Sequence, residues 1–312
     1  MASTTRDARL LTDAQKLRFK RNGFLVLRDA LEESDVREAR EHLYEIIPEE
    51  ADDPSSWAER DGDHDEILHR GSESDTASRF TNVAPFERLF RQVYDYAEEL
   101  TGPEVLAAPD ERPAEYCLHG GHLMASREDG EPAIDHDGAI GPILQYPSNI
   151  TDETRETYDY AQGRHVDGGT GPYATEGDDV EYLPFTIACA MYFDEVEPRG
   201  GGFTVWPGSH RKTERYFAEH SYGDYIAADG DVLEEMEPGP GFEITGGPGT
   251  LVLWHHNIMH GAAPNHSERI RMAGFQRIAA KDIGEVGQSA LSDIWKMYPE
   301  IRDLQPAFHD PY

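Results

Sequence analysis

Hydrophobic positions change their spacing about a third of the way along the chain: helical intervals come first, then short runs separated by Gly, Pro and Asp from Val105 onward. Thr12 and Gln15 stand at capping-box spacing before a short helix that reaches Arg21, where Asn22-Gly23 stops it. Phe24, Leu25, Val26 and Leu27 read as a strand. Ser34 is placed to cap a second helix, with Val36, Leu43, Ile46 and Ile47 on one face and Pro48 near its end. The most periodic segment carries Phe86, Leu89, Phe90, Val93, Tyr94, Ala97 and Leu100 at steps of three and four, and Gly102-Pro103 closes it. Such stripes are core-packing faces, so they predict helices and carry no chemistry.

Residues 116–125, 183–193, 203–206, 250–255 and 270–278 read as strands. Helices followed by many short strands predict an α+β fold whose β part is a sandwich or barrel. The expected organisation is one domain over residues 1–312. Residues 1–103 are mainly helical, 104–280 form the β core, and 281–312 hold a helix at about 290–297 and a tail. A polar, Gly- and Pro-containing stretch over 126–163 has the length of a lid or binding loop, a disordered segment being the other reading.

Charge narrows the partners. With 28 Lys and Arg against 61 Asp and Glu, the net charge is −33, so nucleic acid and anionic membranes, which bind through clustered basic residues, are poor partners. The acids run from Glu32 to Asp303 among apolar and aromatic residues, which describes a folded protein with an acidic skin. Lys occurs only at 16, 20, 212, 281 and 296. This pattern points to a halophilic protein working in molar salt, where the Debye length falls to about 3 Å. No apolar run reaches the roughly 18 residues of a membrane helix, and the charged first 13 residues lack a signal-peptide core, so a cytoplasmic location of high salt is expected. Cys117 and Cys189 are too few for a disulfide framework or a zinc site, and a reducing compartment suits them.

Two strand residues one position apart point to the same side, so His-x-Asp offers an imidazole nitrogen and a carboxylate oxygen to one metal. A second His from another strand completes a two-His, one-carboxylate face that leaves open positions for O2 and a chelating cosubstrate, as in non-haem iron(II) oxygenases. The motif alone is uninformative. About three His-x-acid matches arise by chance in this composition, and three occur: His64/Glu66, His165/Asp167 and His266/Glu268. Context favours His165 and Asp167, set in the glycine-flanked sequence GRHVDGG at 163–169 and followed by FTVWPGSH at 203–210, MHG at 259–261 and PNHSERIR at 264–271. His210 reads as a turn residue, His255 and His256 as strand packing, and His64 with Glu66 as solvated. His136, between Asp135 and Asp137, is the competing ligand but lacks the spacing.

These blocks, an HxDGG, a GG-x4-PGSH and an HG-x2-PN-x-S-x3-R, resemble in order and spacing the phytanoyl-CoA dioxygenase family of iron(II)- and 2-oxoglutarate-dependent oxygenases, and the opening NGFLVLRDAL at 22–31 extends the likeness. The resemblance implies a double-stranded β-helix, a cupin-like jelly roll, with N-terminal helices packed against it. It implies Fe(II) held by His165, Asp167 and His260, O2 and 2-oxoglutarate as cosubstrates, and Arg271 on the distal carboxylate of 2-oxoglutarate. Strand alternation alone leaves Arg269 open as the anchor, since it shares a face with Arg271. The implied reaction hydroxylates an unactivated C–H bond of a small-molecule or lipid-like substrate. Asp167 favours it, because related halogenases replace this carboxylate with a small residue. A CoA thioester is polyanionic, and Arg18, Lys20 and Arg21 form the only basic cluster to receive one. The polar stretch before His165 is longer than is usual in the family. Two other readings stand beside this one: a non-catalytic binding protein of the same fold, and a cupin-type metalloenzyme that does not use 2-oxoglutarate. The oligomeric state is not indicated.

Overall fold

A computed structural model describes residues 9–46, 53, 84–107, 116–119, 122–125, 141–145, 164–167, 185–228 and 231–306. Helix α1 (Asp13–Asn22) starts on the expected capping box: the Thr12 hydroxyl accepts the Gln15 amide at 3.2 Å, and the Gln15 side chain accepts the Thr12 amide at 2.8 Å. It ends at Gly23, whose left-handed φ of 83° and approach to the His210 ring leave no room for a Cβ. Helix α2 (Glu33–Ile46) begins one residue before Ser34. The Glu32 carbonyl receives the Asp35 and Val36 amides, so Ser34 lies inside the first turn and is not the cap. Helix α3 (Ala84–Thr101) buries the predicted stripe and stops at Gly102. Arg88 and Gln92 of α3 bind Asp35 of α2, fastening the two helices together.

The strands are β1 (Phe24–Leu27), β2 (Tyr116–His119), β3 (His122–Ala125), β4 (Gly141–Gln145), β5 (Ile187–Tyr192), β6 (Phe203–Val205), β7 (Phe242–Glu243), β8 (Leu251–His255), β9 (His260–Ala262) and β10 (Arg271–Ile278). They form a five-stranded antiparallel sheet in the order β1-β8-β5-β10-β4, a three-stranded one in the order β7-β6-β9, and the hairpin β2-β3. Residues 116–125 are therefore two strands, not one. Part of the expected 126–163 loop is the edge strand β4, where Pro142 is tolerated; the rest lies outside the described residues. Strands β5 and β8 are buried along their whole length. One side of the large sheet meets the helices, as in the edge contact of Phe86 with Phe193; the other meets the small sheet, with the Phe203 ring tilted against Trp254 at a centroid distance of 4.4 Å. Two facing antiparallel sheets with N-terminal helices make this an α+β jelly roll. A single hydrophobic cluster runs from Leu11 to Ile301.

Between β6 and β7 lie three short helices, α4 (His210–Phe217), α5 (Tyr222–Ala227) and α6 (Asp231–Glu235), with no counterpart in the sequence reading. They build a second cluster in which Phe217, Tyr222, Tyr225 and Leu233 pack with Val166, Trp206 and Met259. The C-terminal part holds α7 (Ile283–Ala290) and α8 (Pro299–Arg302); the helix expected at 290–297 is displaced toward the N-terminus, and residues 291–298 are mostly turns. Among the described residues no helix is long and apolar enough to cross a membrane.

Candidate metal centre

Backbone pairing brings the distant motifs together. His165 and His260 form an antiparallel bridge, each amide donating to the other's carbonyl at 2.9 Å, and their ring centroids lie 4.5 Å apart. Asp167 is two residues further along the same extended segment, so its carboxylate returns to the side of His165. Val166, between them, joins the second cluster, and its amide donates to the Tyr225 hydroxyl at 2.9 Å.

His165 Nε2 lies 3.4 Å from Asp167 Oδ1, and His260 Nε2 lies 3.2 Å from Asp167 Oδ2. One donor atom from each residue falls within 4.8 Å of the others, and among the described residues no other His, Cys, Asp or Glu trio converges in this way. Metal–ligand bonds of about 2.1 Å at right angles place neighbouring donors about 3 Å apart, close to these spacings. The protonation pattern also calls for a cation. His260 Nδ1 lies 3.1 Å from the Ile258 carbonyl, a pure acceptor, so Nδ1 carries the proton and Nε2 presents its lone pair to Asp167. Burial holds His260 below the usual histidine pKa even though Asp167 pulls it up, so the ring is neutral at pH 7. A lone pair and a carboxylate oxygen facing one another repel unless a positive ion sits between them, and a metal fits. Burial pushes the Asp167 carboxyl up, but the Arg277 guanidinium beside it pulls the other way, and the group is held well below the carboxylate range. Asp167 and His260 are buried and His165 is half exposed, so the centre opens on the His165 side.

The two candidate arginines separate cleanly. Arg269 lies at the surface beside Glu197. Arg271, at the start of β10, is buried, and its Nε and Nη1 have no hydrogen-bond partner among the described residues. Burial pulls its pKa down to about 10, which leaves it charged. Its guanidinium lies 5.6 Å from the Phe275 ring, Phe275 lies 6.0 Å from Phe203, and Phe203 lies 5.3 Å from His260, so one aromatic chain links it to the metal centre. Trp254 on the same wall has a buried indole N–H with no partner among the described residues. The orphaned groups along this wall are all donors, the set an anionic, oxygen-rich molecule satisfies.

His255 and His256 pack as the sequence reading expects, and His210, expected in a turn, opens helix α4 and is buried. His210 faces the Lys20 carbonyl, His255 the Ile294 carbonyl, and His256 lies between the Thr186 and Ala290 carbonyls. His64, Glu66 and His136 lie outside the described residues. Sequence reasoning overlooked Trp254, Tyr225 and Arg277. For Arg277 a signal existed: it is six residues from Arg271 on one strand, hence on the same face.

A jelly roll carrying a His-Asp-His cluster and a buried, unpaired arginine defines a non-haem metal oxygenase. The sequence profile of the phytanoyl-CoA dioxygenase family (PhyH) matches residues 19–273, and the chain belongs to that family. It is a 2-oxoglutarate-dependent dioxygenase that uses iron(II) and O2. It is 21% identical over 278 residues to the peroxisomal phytanoyl-CoA dioxygenase of Mus musculus, a match covering 86% of this chain and 68% of that protein. It is 29% identical over 95 residues to a probable alpha-ketoglutarate-dependent hypophosphite dioxygenase of Stutzerimonas stutzeri, covering 28% of this chain and 33% of that protein. Among solved structures, EctD from S. alaskensis with 2-oxoglutarate and 5-hydroxyectoine aligns at 18% identity and a TM-score of 0.44, over 89% of this chain and 79% of that one.

Proposed function

We propose that this dioxygenase hydroxylates an unactivated C–H bond of a small-molecule or lipid-like substrate, with His165, Asp167 and His260 as iron ligands and Arg271 as the anchor for the distal carboxylate of 2-oxoglutarate. The observation that carries the reading is the Arg271 guanidinium, buried with two nitrogens unpartnered among the described residues and joined to the His-Asp-His cluster by one aromatic wall. Iron(II) and 2-oxoglutarate, when bound, supply the O2 activation that such a C–H bond requires, the cosubstrate leaving as succinate and CO2. The protein's part is geometric. The Ile258 carbonyl fixes the His260 tautomer, Arg271 offers a planar fork to a carboxylate, and Phe203, Trp254 and Phe275 keep water from the inner wall. Asp167 fills the position that halide takes in related halogenases, which supports hydroxylation.

Phytanoyl-CoA is a poor candidate substrate. Of the basic cluster on α1, Lys20 donates to the carbonyls of Arg302 and Leu304 and Arg21 donates to the Asn22 side chain, so two of its three members are engaged within the protein. The names of the two relatives cover a lipid thioester and a small phosphorus oxyanion, so kinship suggests the reaction and not the molecule that undergoes it. The acidic skin supports work in a high-salt cytoplasm, as one domain. The test is 2-oxoglutarate-dependent succinate release in molar-salt buffer, screened over small metabolites and lipids. One class should stimulate release, and His165→Ala should abolish it; metal-dependent turnover indifferent to 2-oxoglutarate would overturn the reading.

A further inference from the structure

We propose that Arg277 is a positioning residue that holds the Asp167 carboxylate so that one oxygen serves the metal and the other stays on the guanidinium. This rests on the ligand assignment made above. Arg277 grips both oxygens, Nε to Oδ2 at 3.1 Å and Nη2 to Oδ1 at 2.7 Å, and the pair is largely shielded from solvent. Its other surroundings fix the plane of the fork: the guanidinium lies 5.3 Å from the Phe185 ring, and the β10 backbone at Arg277 is in register with Ala188 of the central strand β5.

Asp167 needs such a partner. It sits at the end of a short bridged segment rather than within a strand, and among the described residues its carboxylate meets only the two imidazoles and Arg277. The imidazoles approach from the metal side, so among the described residues the guanidinium is the group that restrains rotation of the carboxylate from behind. A carboxylate free to rotate can turn both oxygens onto the ion and close a position that O2 or the cosubstrate needs. With one oxygen kept by Arg277, Asp167 contributes a single donor and the open face is preserved.

A guanidinium beside a divalent cation also repels it, so two roles predict opposite signs. If Arg277 mainly competes with the metal, its removal tightens metal binding. If it positions Asp167, removal weakens binding by roughly 10- to 100-fold, the usual consequence of losing a group that orients a ligand. The experiment is a Co(II) titration of the metal-free protein without cosubstrate, followed by the visible d–d bands, which report coordination number. Asp167→Ala serves as the control for the ligand assignment. We expect wild type to bind, Asp167→Ala not to bind, and Arg277→Gln to bind roughly 10- to 100-fold more weakly with altered bands. Arg277→Lys, which keeps the charge but loses the fork, should fall between. Wild-type or tighter affinity with unchanged bands, in whichever Arg277 variant folds by its melting curve, overturns the positioning role and leaves the ligands standing. Equal Co(II) binding by wild type and Asp167→Ala overturns both.

Discussion

Among the described residues, the stack of His210, His255 and His256 and the candidate ligand pair His165 and His260 both lie amid aromatic rings, in contrasting surroundings. In the stack of His210, His255 and His256, the rings face the chain's own backbone: His255 donates to the Ile294 carbonyl and accepts the Asn257 amide, so its neutral form is fully satisfied. At the candidate metal centre, His260 also uses one nitrogen on a carbonyl, but the other faces a carboxylate that gives it no proton at neutral pH. Both His255 and His260 are buried, and burial lowers both pKa values. What separates the candidate ligand His260 from the packing group His255 is the partner of the second nitrogen, an acid in one case and a backbone amide in the other.

That contrast predicts a double dissociation, the largest effect expected. His165→Ala should remove metal binding and turnover altogether while costing less than about 1 kcal/mol of stability, because the ring is half exposed. His255→Ala should do the reverse. It leaves a cavity and two unsatisfied backbone groups, a loss of about 3 kcal/mol, while the folded fraction binds metal as before. Metal titration beside urea unfolding reads both, and loss of metal binding in His255→Ala would break the contrast.

A second dissociation, between arginines, sharpens it. Arg271→Leu should raise the 2-oxoglutarate concentration required by roughly 10- to 100-fold, the worth of a charged, bidentate contact. Arg269→Leu, which loses only a surface contact with Glu197, should leave that requirement unchanged. Steady-state succinate release at varied 2-oxoglutarate checks it, and the opposite ranking would move the anchor to Arg269.

How much of this was legible beforehand follows the physics of each feature. The capping box at Thr12, the stripe ending at Leu100 and the buried strands are local or periodic signals, and they appear where the sequence puts them. The candidate ligands stood out from other His-x-acid pairs only through order and context, because that spacing occurs as often as chance allows, and the structure brings the three together. Strand β4 was hidden because its Gly-Pro start reads as loop; an edge position opposite β10 accommodates that proline. Helices α4 to α6 were hidden because they are short, and their cluster depends on partners as distant as Val166 and Met259. The Arg277–Asp167 pair spans 110 residues, a separation no local pattern encodes.

The histidine stack also predicts a pH dependence of stability, of the same sign as that of buried His260. Burial lowers the pKa of His210 to about 3 and of His256 to about 4, and holds His255 well below normal. Folded rings stay neutral while unfolded ones take up protons below about pH 6.5, so their contribution is complete above that pH and is lost as pH falls. The slope approaches about 1.4 kcal/mol per pH unit for each histidine. Between pH 6.5 and 4.5 most carboxylates remain ionised in both states, so unfolding free energies there should fall with pH. His256→Gln should remove roughly a third of the slope; an unchanged slope would mean the ring titrates alike in both states.

The smallest effect tests whether the helical insert belongs to the site or only to the fold. Tyr225 of α5 accepts the amide of Val166, the residue between two candidate ligands, and both groups are buried. Tyr225→Phe keeps the ring and removes the acceptor, leaving a buried amide unsatisfied at a cost of about 1–3 kcal/mol. In a chain of this length that lowers the melting temperature by a few degrees, at roughly 2–4 °C per kcal/mol. A packing change in the same cluster, Phe217→Leu, costs a similar amount but touches no backbone group of the ligand segment. If the insert sets the spacing of His165 and Asp167, Tyr225→Phe weakens metal binding about fivefold, corresponding to about 1 kcal/mol, while Phe217→Leu at equal loss of stability leaves it unchanged. Equal metal affinity in the two variants would confine Tyr225 to packing and leave the histidine bridge as the element that sets the ligand spacing.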